Sequence, residues 1–302
     1  MPVSPTLITA STESHMQSHQ HSQPLRRQIA EWKQQGDVIA FVPTMGNLHA
    51  GHLSLVELAQ RQADNVRVVV SIFVNPMQFG ENEDFDTYPR TLEEDVDKLE
   101  QMNVDMLYIP DTGEIYPEGL DAATRVQPPP VLADVLEGEF RPGFFTGVAT
   151  VVARLFNTVQ PDIACFGEKD YQQLLVIRRM AADLAMPVRI LCAPITREAD
   201  GLAMSSRNRY LDTAQRRQAA RLSHCLQQLV AAIRQGAGRE RALENAIKSL
   251  EKDGFSVDYV VIRRQSDLRE PQAGDLRLVA LAAVWLGKTR LIDNIVFEIN
   301  RL

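Results

Sequence analysis

Cysteine is scarce in this 302-residue chain: Cys165, Cys192 and Cys225 are its three thiols. They lie far apart in apolar surroundings, without the spacing of a zinc site, a redox pair or a disulfide framework. Three inert thiols in a reducing cytoplasm are therefore expected. Long apolar runs are missing too. The longest, Val68–Val74 broken by Ser71 and Leu278–Leu286, fall short of the roughly 18 residues a membrane-spanning helix needs. The start lacks the basic residues and apolar stretch of a secretion signal. Positive charge is in deficit, with 32 Lys plus Arg against 39 Asp plus Glu and a net charge of −7. That balance argues against a main partner with a nucleic-acid backbone, while polyphosphate ligands stay open. What is present, 45% hydrophobic and 24% charged residues, suffices for a sizeable core in two domains.

Residues 1–22 are rich in Ser, Thr, Gln and His, carry the single charge of Glu13, and show no periodic apolar face. They read as a disordered, solvated tail, although His15, His19 and His21 could bind metal weakly. From Leu25 onward short apolar runs alternate with helix-period segments. Val38–Pro43, Arg67–Val74, Met106–Pro110, Asp162–Phe166 and Val188–Ile195 are almost continuously apolar, as strands buried on both faces must be. Between them, helices are expected around Leu55–Ala59, around Leu92–Leu99 after a Thr91-x-x-Glu94 capping box, from an N-cap Thr146 to Leu155, and from Lys169 to Asp183. Such alternation over about 170 residues predicts an α/β domain, a doubly wound, Rossmann-like parallel sheet spanning 23–195. After residue 196 the pattern changes to two helices, Thr213–Gln235 and Arg239–Asp253, then strands at Ser256–Arg263, Leu276–Leu286 and Leu291–Ile299. A smaller α+β C-terminal domain over 196–302, with an antiparallel sheet, is expected to close over the site.

Ligands of open parallel sheets bind beyond the carboxyl ends of the strands. After Val38–Pro43 the chain reads Thr44-Met45-Gly46-Asn47-Leu48-His49-Ala50-Gly51-His52. Gly46 and Gly51 allow close backbone approach, and His49 and His52, three apart, share one side of a first helical turn. That combination suits a nucleotide phosphate. After Asp162–Phe166 come Gly167-Glu168-Lys169-Asp170, then Gln172-Gln173. A lysine in a first helical turn opposes the helix dipole unless something negative sits beside it, although a solvated pair of Lys169 with Glu168 or Asp170 reads equally well. Asp200 through Arg209 form a polar, glycine-hinged loop in which Ser205, Ser206 and Arg207 could clamp a phosphate. A plain linker is the alternative. Asn75 and Gln78, after the second strand, are neutral donors and acceptors suited to a small hydroxy acid.

Taken together, Val42 through His52, Phe73 through Phe79, Tyr88 through Thr91, Leu136-Glu137-Gly138, Arg141-Pro142-Gly143, Gln160 through Asp170, Asp200 through Leu211, Trp285 through Gly287 and Arg290 through Asn294 resemble the pantoate–β-alanine ligases. That family belongs to the His-x-Gly-His nucleotidyltransferase superfamily. The resemblance implies two steps using ATP and Mg²⁺: pantoate attacks the α-phosphate to give pantoyl adenylate and pyrophosphate, and β-alanine then displaces AMP. It assigns His49 and His52 to the phosphates, with His52 as the proton donor. Lys169 and Arg207 steady the phosphates, Ser205 and Ser206 donate to them, and Gly167 and Asp170 meet the ribose. Met45 lines the ATP site, and Thr196 and Met204 lie near adenine. Gln78 and Gln173 hold pantoate, and Gln78 with Asn75 faces β-alanine. Mg²⁺ is expected mainly on the phosphates, with Glu93-Glu94-Asp95 as candidate helpers or as helix-start residues. A cytoplasmic homodimer without nucleic-acid or membrane partners is implied.

Two features depart from the family pattern: Phe144 stands where histidine is usual, and the N-terminal tail is additional. The residues leave two other readings open. One is a nucleotidyltransferase with a phosphorylated acceptor, which would need a second anion pocket. The other is a nucleotide sensor without catalysis. Neutral Gln78 and Gln173 favour a carboxylate-bearing acceptor.

Overall fold

The nearly unbroken apolar runs become strands because each must be covered on both faces. In the computed structural model, which describes residues 16–80 and 83–299, the chain order begins β1 (Gln17–His19), α1 (Ser22–Gln34), β2 (Val38–Thr44), α2 (Ala50–Gln60), β3 (Val66–Ile72), α3 (Leu92–Gln101) and β4 (Met106–Tyr108). Three single-turn helices follow, α4 (Thr112–Ile115), α5 (Pro130–Ala133) and α6 (Glu137–Phe140). The half closes with α7 (Phe144–Val159), β5 (Ile163–Gly167), α8 (Tyr171–Asp183) and β6 (Arg189–Ala193). Its six strands pair in parallel, in the order β1-β4-β3-β2-β5-β6. Leu25, Ile29 and Trp32 of α1 share one buried cluster with α7 and α8. Leu55, Val56 and Ala59 of α2 and Leu99 of α3 pack on the opposite face. The sheet is thus doubly wound.

The second half holds α9 (Thr213–Ala219), α10 (Arg221–Arg234), α11 (Arg239–Lys252), β7 (Ser256–Arg264), β8 (Arg277–Leu286) and β9 (Thr289–Glu298). Its sheet is antiparallel, β7-β8-β9. The apolar run of β8 has a period-two explanation. Leu278, Ala280, Ala282 and Val284 pack with α10 and α11, while Val279 and Leu281 join the core of the first half. The middle strand is therefore buried on both faces by different partners.

Several expectations change in detail. The tail expected over 1–22 does not extend to Ser22: Gln17–His19 add a parallel strand to the edge of the sheet. Strand addition uses backbone donors and acceptors, so a polar sequence without an apolar face can still do it. Glu114 then receives the Ser22 N–H at 2.9 Å and pairs with His21 at 3.0 Å. Residues 1–15, including Glu13 and His15, lie outside the described residues. Thr91 does not cap α3; its hydroxyl donates to the Asp95 carboxylate at 3.2 Å. Helix α7 starts before Thr146, with Gly143 as N-cap in the left-handed region. Lys169 precedes α8, in a 3₁₀ turn over Glu168–Asp170. The helix expected over Thr213–Gln235 is two, meeting at Ala220.

Two contacts fix the loops that follow β2 and β3. Gly46 and Asn47 take positive φ, 80° and 51°, which turns the N–H groups of Asn47 and Leu48 inward. The fully buried carboxylate of Asp95 accepts both, at 2.7 Å each. The 3₁₀ turn Pro76–Gln78 abuts α7 so tightly that a Cβ on Gly147 would stand 2.2 Å from the Met77 carbonyl oxygen. Asp95→Asn is expected to cost roughly 2–3 kcal/mol, because an amide replaces a charged acceptor facing buried donors. Thermal unfolding should show a clearly lowered midpoint; an unchanged one would mean those N–H groups find other acceptors.

Candidate active site

β3 and β4 lie on one side of β2, and β5 and β6 on the other, so the strand order reverses between β2 and β5. Loops leaving the carboxyl ends of neighbouring strands at such a point diverge and leave a crevice. Here it widens into a cleft of about 1850 Å³ that the second domain also walls, through Asp258, Tyr259, Trp285 and Lys288–Asn294.

His49 and His52 open α2. The His49 Nδ1 accepts the Gly51 N–H at 3.1 Å, and the His52 Nδ1 accepts the His49 N–H at 3.3 Å, so the two rings cap the helix reciprocally. Their centroids are 4.1 Å apart. An Nδ1 that accepts must be unprotonated, which leaves Nε2 to carry the proton of each neutral ring. Both rings stay neutral well below ordinary pH. Burial, then the nearby Lys169 ammonium, pushes His49 down to about 4. Burial, the neighbouring His49 and Lys169 push His52 down to about 3. The pair therefore offers two N–H donors without two full charges.

The other expected cations are already engaged. The Lys169 Nζ lies 3.6 Å from Asp170. Arg207 makes two hydrogen bonds to Asp84, at 3.1 and 2.9 Å. Although burial favours the neutral acid, the Arg207 guanidinium holds the Asp84 carboxyl below the usual range. Arg209 donates to the Asn47 side-chain oxygen at 2.7 Å, and Lys98 to the Leu48 carbonyl at 2.9 Å, so the histidine loop is braced by α3 and by the 3₁₀ turn Ser206–Tyr210.

Of the residues singled out in the sequence, Met45, His49, Gly51, His52, Gln78, Gly167, Lys169, Asp170, Gln173, Thr196, Met204, Ser205, Ser206 and Arg207 all line this one cleft. Two do not. Gly46 lines a smaller groove beside Asp95, its φ spent on the turn. Asn75, expected at β-alanine, is buried behind Gln78, and its amide is saturated. It donates to the Gln78 Oε1 at 2.9 Å and the Gly147 carbonyl at 3.2 Å, and it accepts from the Met77 N–H and the Tyr116 hydroxyl. With Oε1 pinned, Gln78 keeps its Nε2 donor for the cleft.

Among the described residues no group of three or more His, Cys, Asp or Glu could hold a metal ion. Asp95 gives its oxygens to backbone N–H groups, which removes it as the metal helper considered from the sequence. At the far wall Glu137 accepts from Arg290 at 2.6 Å and from Tyr259, while Arg290 also donates to Asp258 at 2.7 Å. The Arg141 guanidinium lies over the Phe144 ring, 3.8 Å from its centroid. Sequence reading missed Asp84 and the Glu137–Arg290 pair as members of the site. Their partners are more than a hundred positions away, so no local spacing signals them.

Residues 17–296 match the family model described as pantoate-beta-alanine ligase. The chain is 51% identical over 274 residues to a pantothenate synthetase of Shewanella loihica, covering 91% of this chain and 96% of that one. It is 55% identical to one of Xanthomonas oryzae pv. oryzae, covering 90% and 96%. A crystal structure of pantothenate synthetase from Thermus thermophilus superposes with a TM-score of 0.86 at 44% identity, over 93% of this chain and 99% of that one. A Francisella tularensis pantoate-beta-alanine ligase complexed with beta-gamma ATP and beta-alanine gives 0.77 at 32% identity, over 93% and 97%. The architecture, the cleft at the strand reversal and this similarity along nearly the whole chain make it a member of the pantoate–β-alanine ligase family.

Proposed function

We propose that this chain condenses pantoate with β-alanine at the expense of ATP, through pantoyl adenylate. The observation that carries the reading is the pairing, in one cleft, of two preorganised imidazole N–H donors and Lys169 with the uncharged amides of Gln78 and Gln173. The first set suits phosphates. The second suits a hydroxy acid that must keep its carboxylate reactive.

In the first step a pantoate carboxylate oxygen forms a bond to the α-phosphorus and pyrophosphate leaves with the electron pair of the broken P–O bond. Negative charge builds on the phosphate oxygens, so fixed donors supply most of the acceleration and no covalent enzyme nucleophile is required. His49 and His52 donate from Nε2 to those oxygens, and Lys169 adds its charge. Ser205, Ser206 and Arg207 hold the outer phosphates, for which Arg207 must exchange Asp84 for phosphate. Gly167 and Asp170 face the ribose, Met45, Thr196 and Met204 the base side, and Gln78 and Gln173 hold pantoate. In the second step the β-alanine amine, beside Gln78, attacks the activated carbonyl and AMP departs. His52 donates from Nε2 to the phosphate oxygens; before a phosphate binds, burial and the neighbouring His49 and Lys169 favour its neutral ring. Mg²⁺ would enter on the ATP phosphates. The reading extends to a cytoplasmic homodimer, in line with the resemblance; among the described residues no helix is long and apolar enough to cross a membrane.

His52→Ala should lower single-turnover adenylation by roughly 10²-fold or more, the scale of losing one preorganised donor, with the fold retained. Near-normal pyrophosphate release from ATP and pantoate would refute the assignment.

Nitrogen-detected NMR should find both rings as neutral Nε2–H tautomers from pH 8 down to about 5 in the ligand-free protein. Their folded values lie below the ordinary 6.5, so on acidification the unfolded chain binds protons first. Stability from these rings is then full above 6.5 and drains away as pH falls towards about 4 and 3. A titration near 6.5 in the folded state would show exposed, uncoupled rings.

Gln78→Glu should impair pantoate use more than Gln78→Ala. Glutamate keeps the acceptor for Asn75 but turns the free donor into a negative oxygen facing a carboxylate, whereas alanine leaves room for water. Calorimetric ATP affinity should barely change in either variant; a matching loss there would place Gln78 at the nucleotide instead.

A further inference from the structure

Asp293 and Asn294 of β9 are 3% and 2% exposed, yet both border the cleft from the second domain. Asn294 reaches across to the first domain, where its Nδ2 donates to the main-chain carbonyls of Glu168 and Lys169, at 2.9 Å each. Two carbonyls on one nitrogen fix the amide orientation, and Oδ1 is turned away, buried and without a protein partner. The carbonyls belong to the 3₁₀ turn between β5 and α8. That turn has no side-chain cap of its own, so the contact from β9 is an external brace.

The brace is itself held from behind. The Asn294 N–H donates to Asp293 Oδ1 at 2.7 Å. Arg197 clasps the same carboxylate with bonds of 2.8 and 2.9 Å, and also donates to the Asn294 carbonyl at 3.3 Å. Bidentate guanidinium–carboxylate contact is geometrically specific, and with the buried backbone of β9 it leaves the Asn294 side chain little freedom.

We propose that Asn294 is a positioning residue for nucleotide activation: by tying down the Glu168–Lys169 turn it sets where the Lys169 ammonium stands relative to His49 and His52. The proposal rests on Lys169 acting at the phosphates. Lysine carries its charge on a flexible stem, so a backbone free to drift adds to the spread of the ammonium. Misplacement by about 1 Å can cost 10²-fold in rate. Lys169 already acts electrostatically on both histidines, so its placement changes the field that the phosphates meet.

The test is a double-mutant cycle on single-turnover adenylation by the full chain, with Asn294→Ala, Lys169→Ala and the double variant. Thermal midpoints are read alongside. Asn294→Ala should lower the adenylation rate about 10-fold or more with a smaller change in KM for ATP. In the Lys169→Ala background the same substitution should add little, because the group it positions is gone. Combined with Arg207→Ala it should act in full, since Arg207 is not on the braced turn. If Asn294→Ala does not fold, Asn294→Ser, which keeps one donor, serves in the same cycles. Multiplicative losses with Lys169→Ala overturn the proposal while leaving the role of Lys169 intact. Undiminished adenylation by Lys169→Ala overturns both.

Discussion

The buried carboxylate of Asp95 is the contact on which the site's geometry depends. A strand that ends at Thr44 and a helix that begins at Ala50 must be joined by a loop whose N–H groups are removed from water. Two of those groups, at Asn47 and Leu48, find their acceptor in Asp95 on α3. The left-handed turn at Gly46 and Asn47 is affordable only because those bonds hold it. The turn in turn places His49 at the helix N-cap, where the two rings lock each other through Nδ1.

The cleft solves a second problem, that of gathering several nitrogen donors in one place without accumulating repulsion. Four cations close together in a half-buried site would destabilise the fold. Neutral imidazoles, a Lys169 near Asp170 and an Arg207 held by Asp84 keep the local charge balanced. Each of these cations has a carboxylate beside it: Lys169 has Asp170, and Arg207 has Asp84.

The second domain is more than a cover. Its middle strand β8 shares side chains with both cores, and its last strand β9 supplies the polar contacts to the turn bearing Lys169. Glu137 on the first domain and Arg290 on the second make another buried tie across the cleft. The Lys169-bearing turn and Glu137 of the first domain are thus held by the Asn294 amide and the Arg290 guanidinium of the second, and both halves line one cleft.

The sequence by itself determined the doubly wound domain, the α+β second domain and most of the cleft. Short, bounded apolar runs such as Val38–Pro43 suit strands covered on both faces, and Gly46 through His52 or Gly167 through Asp170 carry their polar groups in contiguous residues. Family resemblance supplied the roles from those same segments. Only tertiary structure decided what depends on distant partners. Polar Gln17–His19 became a strand because an exposed sheet edge accepts backbone of any sequence. Asn75 left the cleft because Tyr116 and Gly147 saturate its amide. Asp95 became a loop anchor, Arg207 a partner of Asp84, and the histidines neutral donors. Each outcome is set by burial and by contacts between residues far apart in the chain, and periodicity and spacing carry no record of either.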